Sequence, residues 1–376
     1  MKQIKTAVLG CGMISETYLD NLRRKFRVIE LAGCADIDAE RCRARAEQFS
    51  LRAMTPEQLM DDPEIEMVIN LTNPLAHAAT TRALLEHGKH VFSEKMLAAD
   101  FAQGRELCRL AAEKQLRLGA APDTFLGGGL QTAQYALAHG LIGTPRSAVV
   151  SLGRNYRIFG EMLPHLYQHG GSILYDMGCY YFTALCCLLG PVRRISAMGT
   201  VSEPNRVNRR LTSPAFGQAF TVAESNILAA VLEFADGCLA TVHLNSETNF
   251  GDKLHLELYG SDGCLTLGDP NTFDGAVMLG KPFCTAVPFP HTHGYLQNSR
   301  GVGAAEMAWS IAEKRPHRAS MEMGLHVLEI AHGISASIAD GRVYEMQTTM
   351  ERPRPLPEGF VDAGLWGPTE ETALME

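Results

Sequence analysis

The sequence predicts two domains: an α/β domain built on a parallel sheet, then an α+β domain with a large, mainly antiparallel open sheet. The chain has 376 residues, which suits two hydrophobic cores better than one. Short apolar runs alternate with helical patterns in the first third, as in parallel sheets. After residue 145 the apolar runs follow one another across tight turns. We therefore expect domains at 1–122 and 123–376, with the boundary at Pro122.

The composition is that of an ordinary globular protein. Hydrophobic residues make up 46% of the chain and charged residues 20%, which argues against long disordered stretches. The formal net charge is −8 and the basic residues are scattered, so we expect no nucleic-acid partner. No apolar run approaches the roughly 20 residues that span a bilayer, so we expect a cytoplasmic protein with no membrane contact.

The cysteines and histidines give no metal-binding spacing. None of the ten cysteines forms a Cys-x-x-Cys pair. Several lie in apolar runs, such as Cys186 and Cys187, which indicates buried, reduced thiols in a cytosolic protein. His291 and His293 have no carboxylate or thiol near them, so a loop is the better interpretation. We predict no metal site.

The first element is a short apolar run at 4–9 that ends in a glycine-rich turn, Gly10-Cys11-Gly12-Met13-Ile14-Ser15. A helical pattern and a second apolar run ending at Asp36 follow. This order is the fingerprint of a dinucleotide-binding Rossmann domain: a strand, a glycine turn, a helix, a second strand and an acidic residue. The alternative is a glycine turn that binds nothing, but the strand context and the acid favour the dinucleotide. The predicted contacts are Gly10, Gly12, Met13, Ile14 and Asp36.

The α/β alternation continues to the boundary. Thr55-Pro56-Glu57-Gln58 has the pattern of a capping box and starts a helix. Asn73-Pro74 opens another helix, which Gly88 ends. The other elements predicted here are strands at 67–71, 90–93 and 117–121 and a helix at 99–114.

The second domain has a different pattern. Asp236-Gly237 and Asp262-Gly263 predict tight turns between neighbouring strands. This favours an antiparallel meander over a further parallel sheet. The predicted strands cover 148–152, 226–234, 238–244, 254–259 and 264–267, and the predicted helices cover about 127–139, 175–189 and 320–340.

Motifs along nearly the whole chain resemble those of the Gfo/Idh/MocA family of sugar and polyol dehydrogenases. The most specific is Glu94-Lys95 after a strand, followed by Gly170-Gly171 and Asp176-Met177-Gly178. The resemblance implies a Rossmann domain whose nicotinamide faces the large open sheet. It also implies a homodimer or homotetramer built through that sheet. The other matching motifs are Gly10-x-Gly12, Asn73-Pro74-x-x-His77, Gly88-Lys89-His90-Val91, Leu256-Glu257-Leu258-Tyr259-Gly260 and Arg315-Pro316.

Two positions depart from the family pattern. The family's Glu-Lys-Pro is here Glu94-Lys95-Met96, so the proline that helps fix the lysine is missing. The histidine that often lies four residues after the motif Asp is here Tyr180, and some members of the family use a tyrosine in this place. The segment 121–128 resembles an uncharacterised subgroup.

The resemblance and the chemistry of alcohol oxidation point to Lys95, Asp176 and Tyr180 as catalytic residues. The reaction needs a base for the hydroxyl proton and a positive group near the developing alkoxide. Lys95 follows a strand at the edge where such sheets bind ligands, and its charge would lower the pKa of Tyr180. Asp176 would share a helix face with Tyr180 and orient Lys95 or the substrate. The alternatives are a solvent lysine, a packing tyrosine and a helix N-terminal carboxylate.

Other residues are candidates for binding. His77 either caps a helix or contacts the nicotinamide ribose, and the structural role is favoured. The remaining cofactor candidates are Thr72, Asn73, Glu94 and Lys95. The substrate candidates are Asp123, Phe125, Arg154, Tyr156 and His165.

These observations predict an oxidoreductase that transfers hydride between NAD and a carbinol or carbonyl of a sugar, polyol or related cyclic alcohol. NADP is the second choice of cofactor. Two other functions fit the same fold. One is a non-catalytic protein that senses nucleotide or sugar. The other is a hydrolase or lyase that uses NAD for a transient oxidation, and net NADH production would separate it from a dehydrogenase.

We predict that the protein binds NAD(H) more tightly than NADP(H), because the negative charge of Asp36 would repel a 2′-phosphate. Titration with both cofactors measures the two dissociation constants. Asp36→Ser should narrow the gap between them, whereas equal or inverted constants in the wild type would contradict the prediction.

Overall fold

The computed structural model describes residues 2–157, 164–249 and 252–357. Its main layers are a six-stranded sheet and a nine-stranded sheet, with a separate two-stranded hairpin. Among the described residues, no helix combines the length and the apolar character needed to cross a bilayer. The predicted fold class is confirmed: a parallel sheet with helices precedes a mainly antiparallel open sheet.

The first sheet is parallel throughout, with strand order β3-β2-β1-β4-β5-β6. The order reverses between β1 and β4, and ligands of such sheets bind beyond the carboxyl ends of the strands at this point. The strands are β1 (Ile4–Leu9), β2 (Ile29–Ala35), β3 (Arg52–Met54), β4 (Met67–Asn70), β5 (His90–Ser93) and β6 (Leu118–Ala120). The helices between them are α1 (Met13–Lys25), α2 (Ala39–Phe49), α3 (Pro56–Asp61), α4 (His77–Glu86) and α5 (Phe101–Glu113).

Local sequence signals account for the helix starts in this domain. Thr55 and Gln58 form the predicted capping box at α3. The side chains of Asp38 and Asp100 accept hydrogen bonds from the first backbone N–H groups of α2 and α5. Pro74 begins a short 3-10 helix, Pro74–Ala76, that leads into α4. Capping residues thus set where each helix begins relative to the strand before it.

The second sheet has strand order β16-β15-β14-β13-β7-β12-β11-β8-β17, and β9 and β10 form the hairpin. Its strands are β7 (Pro145–Gly153), β8 (Val192–Thr200), β11 (Ile227–Phe234), β12 (Leu239–Asn245), β13 (Lys253–Gly260), β14 (Cys264–Leu267), β15 (Val277–Gly280), β16 (Val287–Phe289) and β17 (Tyr344–Glu345). The hairpin strands are β9 (Asn205–Val207) and β10 (Ala219–Thr221). The helices are α6 (Gly128–Ala138), α7 (Ile173–Asp176), α8 (Gly178–Leu189), α9 (Val302–Glu313) and α10 (Met321–Asp340), with a 3-10 helix at Thr124–Leu126 and another at Pro164–Tyr167.

Two details differ from the sequence-based expectation. The sheet is not a simple meander, because β7 lies between β12 and β13 and pairs with β12 in parallel. The helix predicted at 175–189 is two helices that meet at Met177, so Asp176 and Tyr180 lie on different helices. Residue spacing alone could not show this break, since the apolar pattern continues through it.

Helices from the end of the chain pack back on the first sheet. Gly119 in β6 pairs with Ser320 just before α10, and α9 also contacts β5 and β6. The sequence did not predict α9, although its buried face extends from Val302 to Ser310. The C-terminal helices therefore complete the core of the first domain and hold the two sheets together.

One face of the nine-stranded sheet carries exposed apolar side chains. Alternate residues of β11, such as Leu228 and Leu232, are buried against the helices. On the other face, Met198, Val231 and Leu239 are exposed on adjacent strands. The same face also carries polar residues, such as Ser196 and Thr241 beside Val231, and exposed apolar side chains on an open sheet fit a surface that contacts another subunit.

We predict that the protein is a homo-oligomer assembled through this face. Light scattering should give a mass at least twice the 41.0 kDa of one chain. Val231→Asp places a charge in the middle of the face and should shift the mass towards the monomer. Leu211→Asp, at an exposed apolar residue of the β9–β10 loop, is the matched control and should not. A monomeric wild type at micromolar concentration would refute the prediction.

Candidate active site

The glycine turn after β1 has the shape that a pyrophosphate requires. Gly10 has φ +103°, and a Cβ on it would lie 2.6 Å from the carbonyl carbon of Leu71. A Cβ on Gly12 would meet no atom within 4 Å, so the turn is open on that side. No side chain caps the N-terminus of α1, so its first N–H groups face outwards. These features fit a dinucleotide, with the phosphates against the turn and the helix N-terminus.

Asp36 is fixed at the end of β2. Its Oδ2 accepts a hydrogen bond of 2.7 Å from the Cys11 N–H, and its Oδ1 accepts one of 2.9 Å from the Asp38 N–H. The Arg41 guanidinium lies 3.8 Å from Oδ2, a contact that the sequence did not predict. The carboxylate therefore stands beside the glycine turn, where the adenosine ribose would lie. Of the two neighbouring candidates, Met13 is exposed and Ile14 packs on the core.

The loops after β4 and β5 are tied to each other by a buried histidine. His77 Nδ1 lies 3.0 Å from the Met96 carbonyl oxygen, and its Nε2 lies 3.0 Å from the Thr72 carbonyl oxygen. Burial lowers the pKa of His77, so the ring is neutral at pH 7 and its single N–H donates to one of these two carbonyl oxygens. Thr72 is also held by Asn70, which accepts its hydroxyl hydrogen bond at 2.7 Å, and Asn73 caps the 3-10 helix. The His77 ring therefore connects the loop after β4 with the loop that carries Lys95 instead of capping a helix, and its contact with the nicotinamide ribose stays a prediction.

Lys95 reaches across to the second domain and forms an ion pair with Asp176. Its Nζ donates hydrogen bonds to Asp176 Oδ1 at 2.6 Å and to the Asp176 carbonyl oxygen at 3.1 Å. Burial alone would lower the pKa of Lys95, but Asp176 together with Tyr180, Cys179 and Glu94 outweighs it, and the pKa lies well above its ordinary value. The peptide between Lys95 and Met96 is cis. The lysine thus stands in the site although the family's proline is absent.

Asp176 is ionised and has two donors. Besides Lys95, the Tyr156 hydroxyl donates a hydrogen bond of 2.7 Å to Asp176 Oδ2. Burial alone would raise the pKa of Asp176, but Lys95 and the two hydrogen bonds outweigh it, and the pKa lies below its ordinary value. Burial and the same carboxylate raise the pKa of Tyr156. Tyr156, predicted as a substrate contact, therefore belongs to the network that holds the carboxylate.

Tyr180 lies beside the ion pair. The Lys95 Nζ is 5.4 Å from the centre of its ring. Lys95 lowers the pKa of Tyr180, as the sequence analysis expected, but burial outweighs this effect and raises the pKa to about 12. The expectation of a phenol tuned towards neutral pH is therefore wrong, because the same enclosure that brings the ammonium close also excludes water from the hydroxyl.

Two residues near the cluster were not predicted. Tyr18 in α1 donates a hydrogen bond of 2.6 Å to Glu94, whose other oxygen accepts one of 3.0 Å from the Lys95 N–H. Arg300, just before α9, interacts electrostatically with Tyr180 and Glu94. Neither has a sequence signal, since Tyr18 reads as a helix core residue and Arg300 follows a polar loop.

The remaining substrate candidates have different environments. Asp123 is buried and accepts hydrogen bonds from the N–H groups of Gly301 and Gly303, so it caps α9; burial raises the pKa of Asp123 to about 6. Phe125 lies in the core. Arg154 forms an ion pair with Asp252 at 3.4 Å. The side chain of His165 lies outside the described part of the structure.

Two family models match consecutive parts of the chain. Residues 4–121 match the model described as an oxidoreductase family with an NAD-binding Rossmann fold. Residues 130–266 match the GFO/IDH/MocA C-terminal domain. The two matched regions carry the glycine turn, the Lys95 loop and Asp176, so the motif resemblance and the family models agree.

Individual relatives are distant but cover most of the chain. D-apiose dehydrogenase of Paraburkholderia graminis is 22% identical over 284 residues, which cover 71% of this chain and 72% of that protein. Myo-inositol 2-dehydrogenase of Thermotoga maritima is 22% identical over 263 residues, 69% of this chain and 74% of that protein. The structure of levoglucosan dehydrogenase in complex with NADH has a TM-score of 0.80 at 17% identity, covering 92% of this chain and 100% of that one. At 17% identity, the similarity to levoglucosan dehydrogenase shows a shared fold and nothing more specific.

We predict that Lys95 and Asp176 are strongly coupled in stability. Asp176→Asn or Lys95→Met should each cost about 2 kcal/mol of unfolding free energy, because one partly buried charge loses its partner. The double variant should cost less than the sum of the two. Urea unfolding of the four proteins at pH 7 measures this, and additive losses would contradict it.

The pH dependence of this stability has two limits. The contribution of Asp176 is present above its ordinary pKa of 3.8 and is lost as the pH falls through its lower folded value. The contribution of Lys95 is present below its ordinary pKa of 10.5 and is lost as the pH rises through its higher folded value.

Proposed function

The chain belongs to the GFO/IDH/MocA family of oxidoreductases with an NAD-binding Rossmann fold, and we propose that it is an NAD-dependent dehydrogenase of a sugar, polyol or related cyclic alcohol. One observation carries the proposal. The partly buried Lys95–Asp176 pair stands with Tyr180 at the carboxyl edge of the Rossmann sheet, where β5 ends. This is the edge at which a dinucleotide on the glycine turn would present its reactive ring.

The charge states of the cluster suit oxidation of a carbinol. When bound, the nicotinamide accepts or returns the hydride. Lys95 remains an ammonium near pH 7 and would stabilise negative charge that develops on the substrate oxygen. Asp176 holds the ammonium in place, and Tyr156 donates to the other carboxylate oxygen. Lys95 and Tyr156 both donate hydrogen bonds to the Asp176 carboxylate. We therefore assign this carboxylate the role of positioning Lys95.

Tyr180 is the proposed proton carrier. With a pKa of about 12 its hydroxyl is neutral at pH 7, so it would donate a proton to the carbonyl oxygen during reduction. During alcohol oxidation it would have to accept the hydroxyl proton, which requires the phenolate. At pH values below the pKa, the fraction of phenolate rises about tenfold for each unit by which the pH increases. Reduction is therefore the easier direction for this side chain near neutral pH.

The substrate class rests on chemistry and on the relatives. Two curated relatives are named for their action on D-apiose and myo-inositol, both polyhydroxylated compounds. Arg300 lies beside Tyr180, and Tyr156 and Arg154 lie beside Asp176, so the cluster offers hydrogen-bonding groups rather than an apolar wall. A compound with several hydroxyl groups suits such a lining better than an aliphatic alcohol does.

The direct test is an absorbance assay of NADH formation with a panel of aldoses, ketoses and inositols, and with NAD or NADP as the acceptor. We expect turnover with at least one polyhydroxylated substrate and a preference for NAD. Tight NAD binding without turnover would favour the sensing function. Product formation without net NADH would favour the hydrolase or lyase.

We predict that Tyr180→Phe lowers turnover by about 10²–10⁴-fold, the usual scale of acid–base help, while leaving NAD affinity unchanged. Tyr181→Phe is the matched control, because Tyr181 follows Tyr180 in sequence and its buried hydroxyl has no hydrogen-bond partner among the described residues. Lys95→Ala should cost at least ~10²-fold, since the alkoxide loses its cation. Wild-type turnover in Tyr180→Phe would remove Tyr180 from the mechanism.

The pH dependence of kcat/KM tests independently whether Tyr180 carries the proton. In the wild type, kcat/KM for oxidation should rise with pH through the alkaline range, because oxidation needs the Tyr180 phenolate. In the reductive direction it should stay flat near neutral pH, where the phenol is already protonated. The alkaline rise should disappear in Tyr180→Phe and persist in Tyr181→Phe. A rise of equal slope in both variants would assign the proton to another carrier.

A further inference from the structure

Three cysteines distant in sequence meet beneath the glycine turn. The sulfur atoms of Cys11, Cys34 and Cys42 all lie within 4.8 Å of one another, and all three side chains are buried. Cys11 belongs to the turn itself, Cys34 lies in β2, and Cys42 lies one turn into α2. The candidate mechanism uses none of them, and their sequence spacing matches no metal-binding motif.

The sulfur spacing is close to that of a metal–thiolate site. A zinc–sulfur bond is about 2.3 Å long, which places sulfur pairs about 3.8–4.0 Å apart around one ion. The three thiols hydrogen-bond one another, and each also contacts a backbone carbonyl oxygen, at 3.6 Å from Cys11 to Ala35 and at 3.4 Å from Cys42 to Cys34. A contraction of less than 1 Å would therefore bring three ligands onto one ion without breaking a strong hydrogen bond.

The surroundings suit thiolates bound to a divalent cation. Burial raises the pKa of Cys42, so the free thiols stay protonated at pH 7 and only a bound cation would displace their protons. Three thiolates and a divalent ion leave one negative charge. The N-termini of α1 and α2 lie next to Cys11 and Cys42, and their dipoles favour that charge. Soft sulfur ligands select ions of the zinc group over magnesium or calcium.

We propose that Cys11, Cys34 and Cys42 form a site for one zinc-group divalent ion, and that its occupancy weakens dinucleotide binding. Each thiol loses one proton to solvent when the ion binds. The coupling follows from the position of Cys11 between Gly10 and Gly12, with its N–H bonded to Asp36. Contraction of the cluster pulls the turn inwards, and the added negative charge lies near the pyrophosphate. The coupling between metal binding and dinucleotide binding rests on the proposed function. The metal site itself does not depend on that function.

The test uses the full chain with Cys108, Cys264 and Cys284 replaced by serine, since these three are not buried. Anaerobic titration with Cd²⁺ follows the thiolate-to-metal absorption band, and an indicator dye counts the released protons. We expect one Cd²⁺ per chain and close to three protons. Cys34→Ala and Cys42→Ala should each weaken binding at least ~10-fold, as loss of a ligand costs no less than loss of a supporting contact.

Cys186→Ala is the matched control, because Cys186 is equally buried but lies outside the cluster. It should bind Cd²⁺ like the parent, and melting temperatures show whether each variant is folded. Absence of the absorption band, or equal affinity in the parent and in folded Cys42→Ala, would overturn the metal site.

The coupling is measured by NAD titration with and without one equivalent of Cd²⁺. We expect the NAD dissociation constant to rise at least ~5-fold with the ion, and by reciprocity NAD should weaken Cd²⁺ binding equally. Cys42→Ala should abolish the effect. An unchanged constant in the parent would overturn the coupling. A protein that binds Cd²⁺ but never NAD would instead contradict the proposed function.

Discussion

The ion pair between Lys95 and Asp176 is the contact on which the arrangement of the site depends. Lys95 follows β5 of the parallel sheet, and Asp176 ends α7 of the second domain. Each charge is partly buried and would be costly without its partner, so the pair favours the arrangement that brings β5 and α7 together. Around it, His77 fixes the lysine loop and Tyr156 fixes the carboxylate. The geometry of the candidate site and the packing of the two sheets therefore depend on each other.

The sequence predicted the elements whose signals are local. Three such signals act within a few residues: the glycine at the first turn, the acidic residue after β2 and the capping box at Thr55. The structure has the expected element at each of these places. Alternating apolar residues located most central strands of the second sheet. The break at Met177 was missed because burial is continuous through α7 and α8, which removes the polar face that would mark a helix end.

Features that depend on distant residues could not be predicted. Arg300 approaches Tyr180, which is 120 positions away in sequence, and Asp123 accepts hydrogen bonds from Gly301 and Gly303 at the start of α9. The cysteine cluster combines a turn, a strand and a helix, and no sequence spacing marks it. Two opposing effects set the pKa of Tyr180: the nearby Lys95 charge lowers it and burial raises it. Their balance depends on a distance and a degree of burial that cannot be derived from the sequence.

The balance of charges in the site bears on the kind of substrate it accepts. Lys95 is paired with Asp176, and Arg154 is paired with Asp252. Burial alone would lower the pKa of Arg300, but Tyr180 and the charges of Asp123 and Glu94 outweigh it. Each of these cations thus already has acidic groups beside it. A carboxylate substrate would compete with the protein's own acids for them, whereas a neutral polyol can use the same groups as hydrogen-bond donors without displacing an ion pair. The charge pattern therefore favours an uncharged polyhydroxylated substrate over an acid.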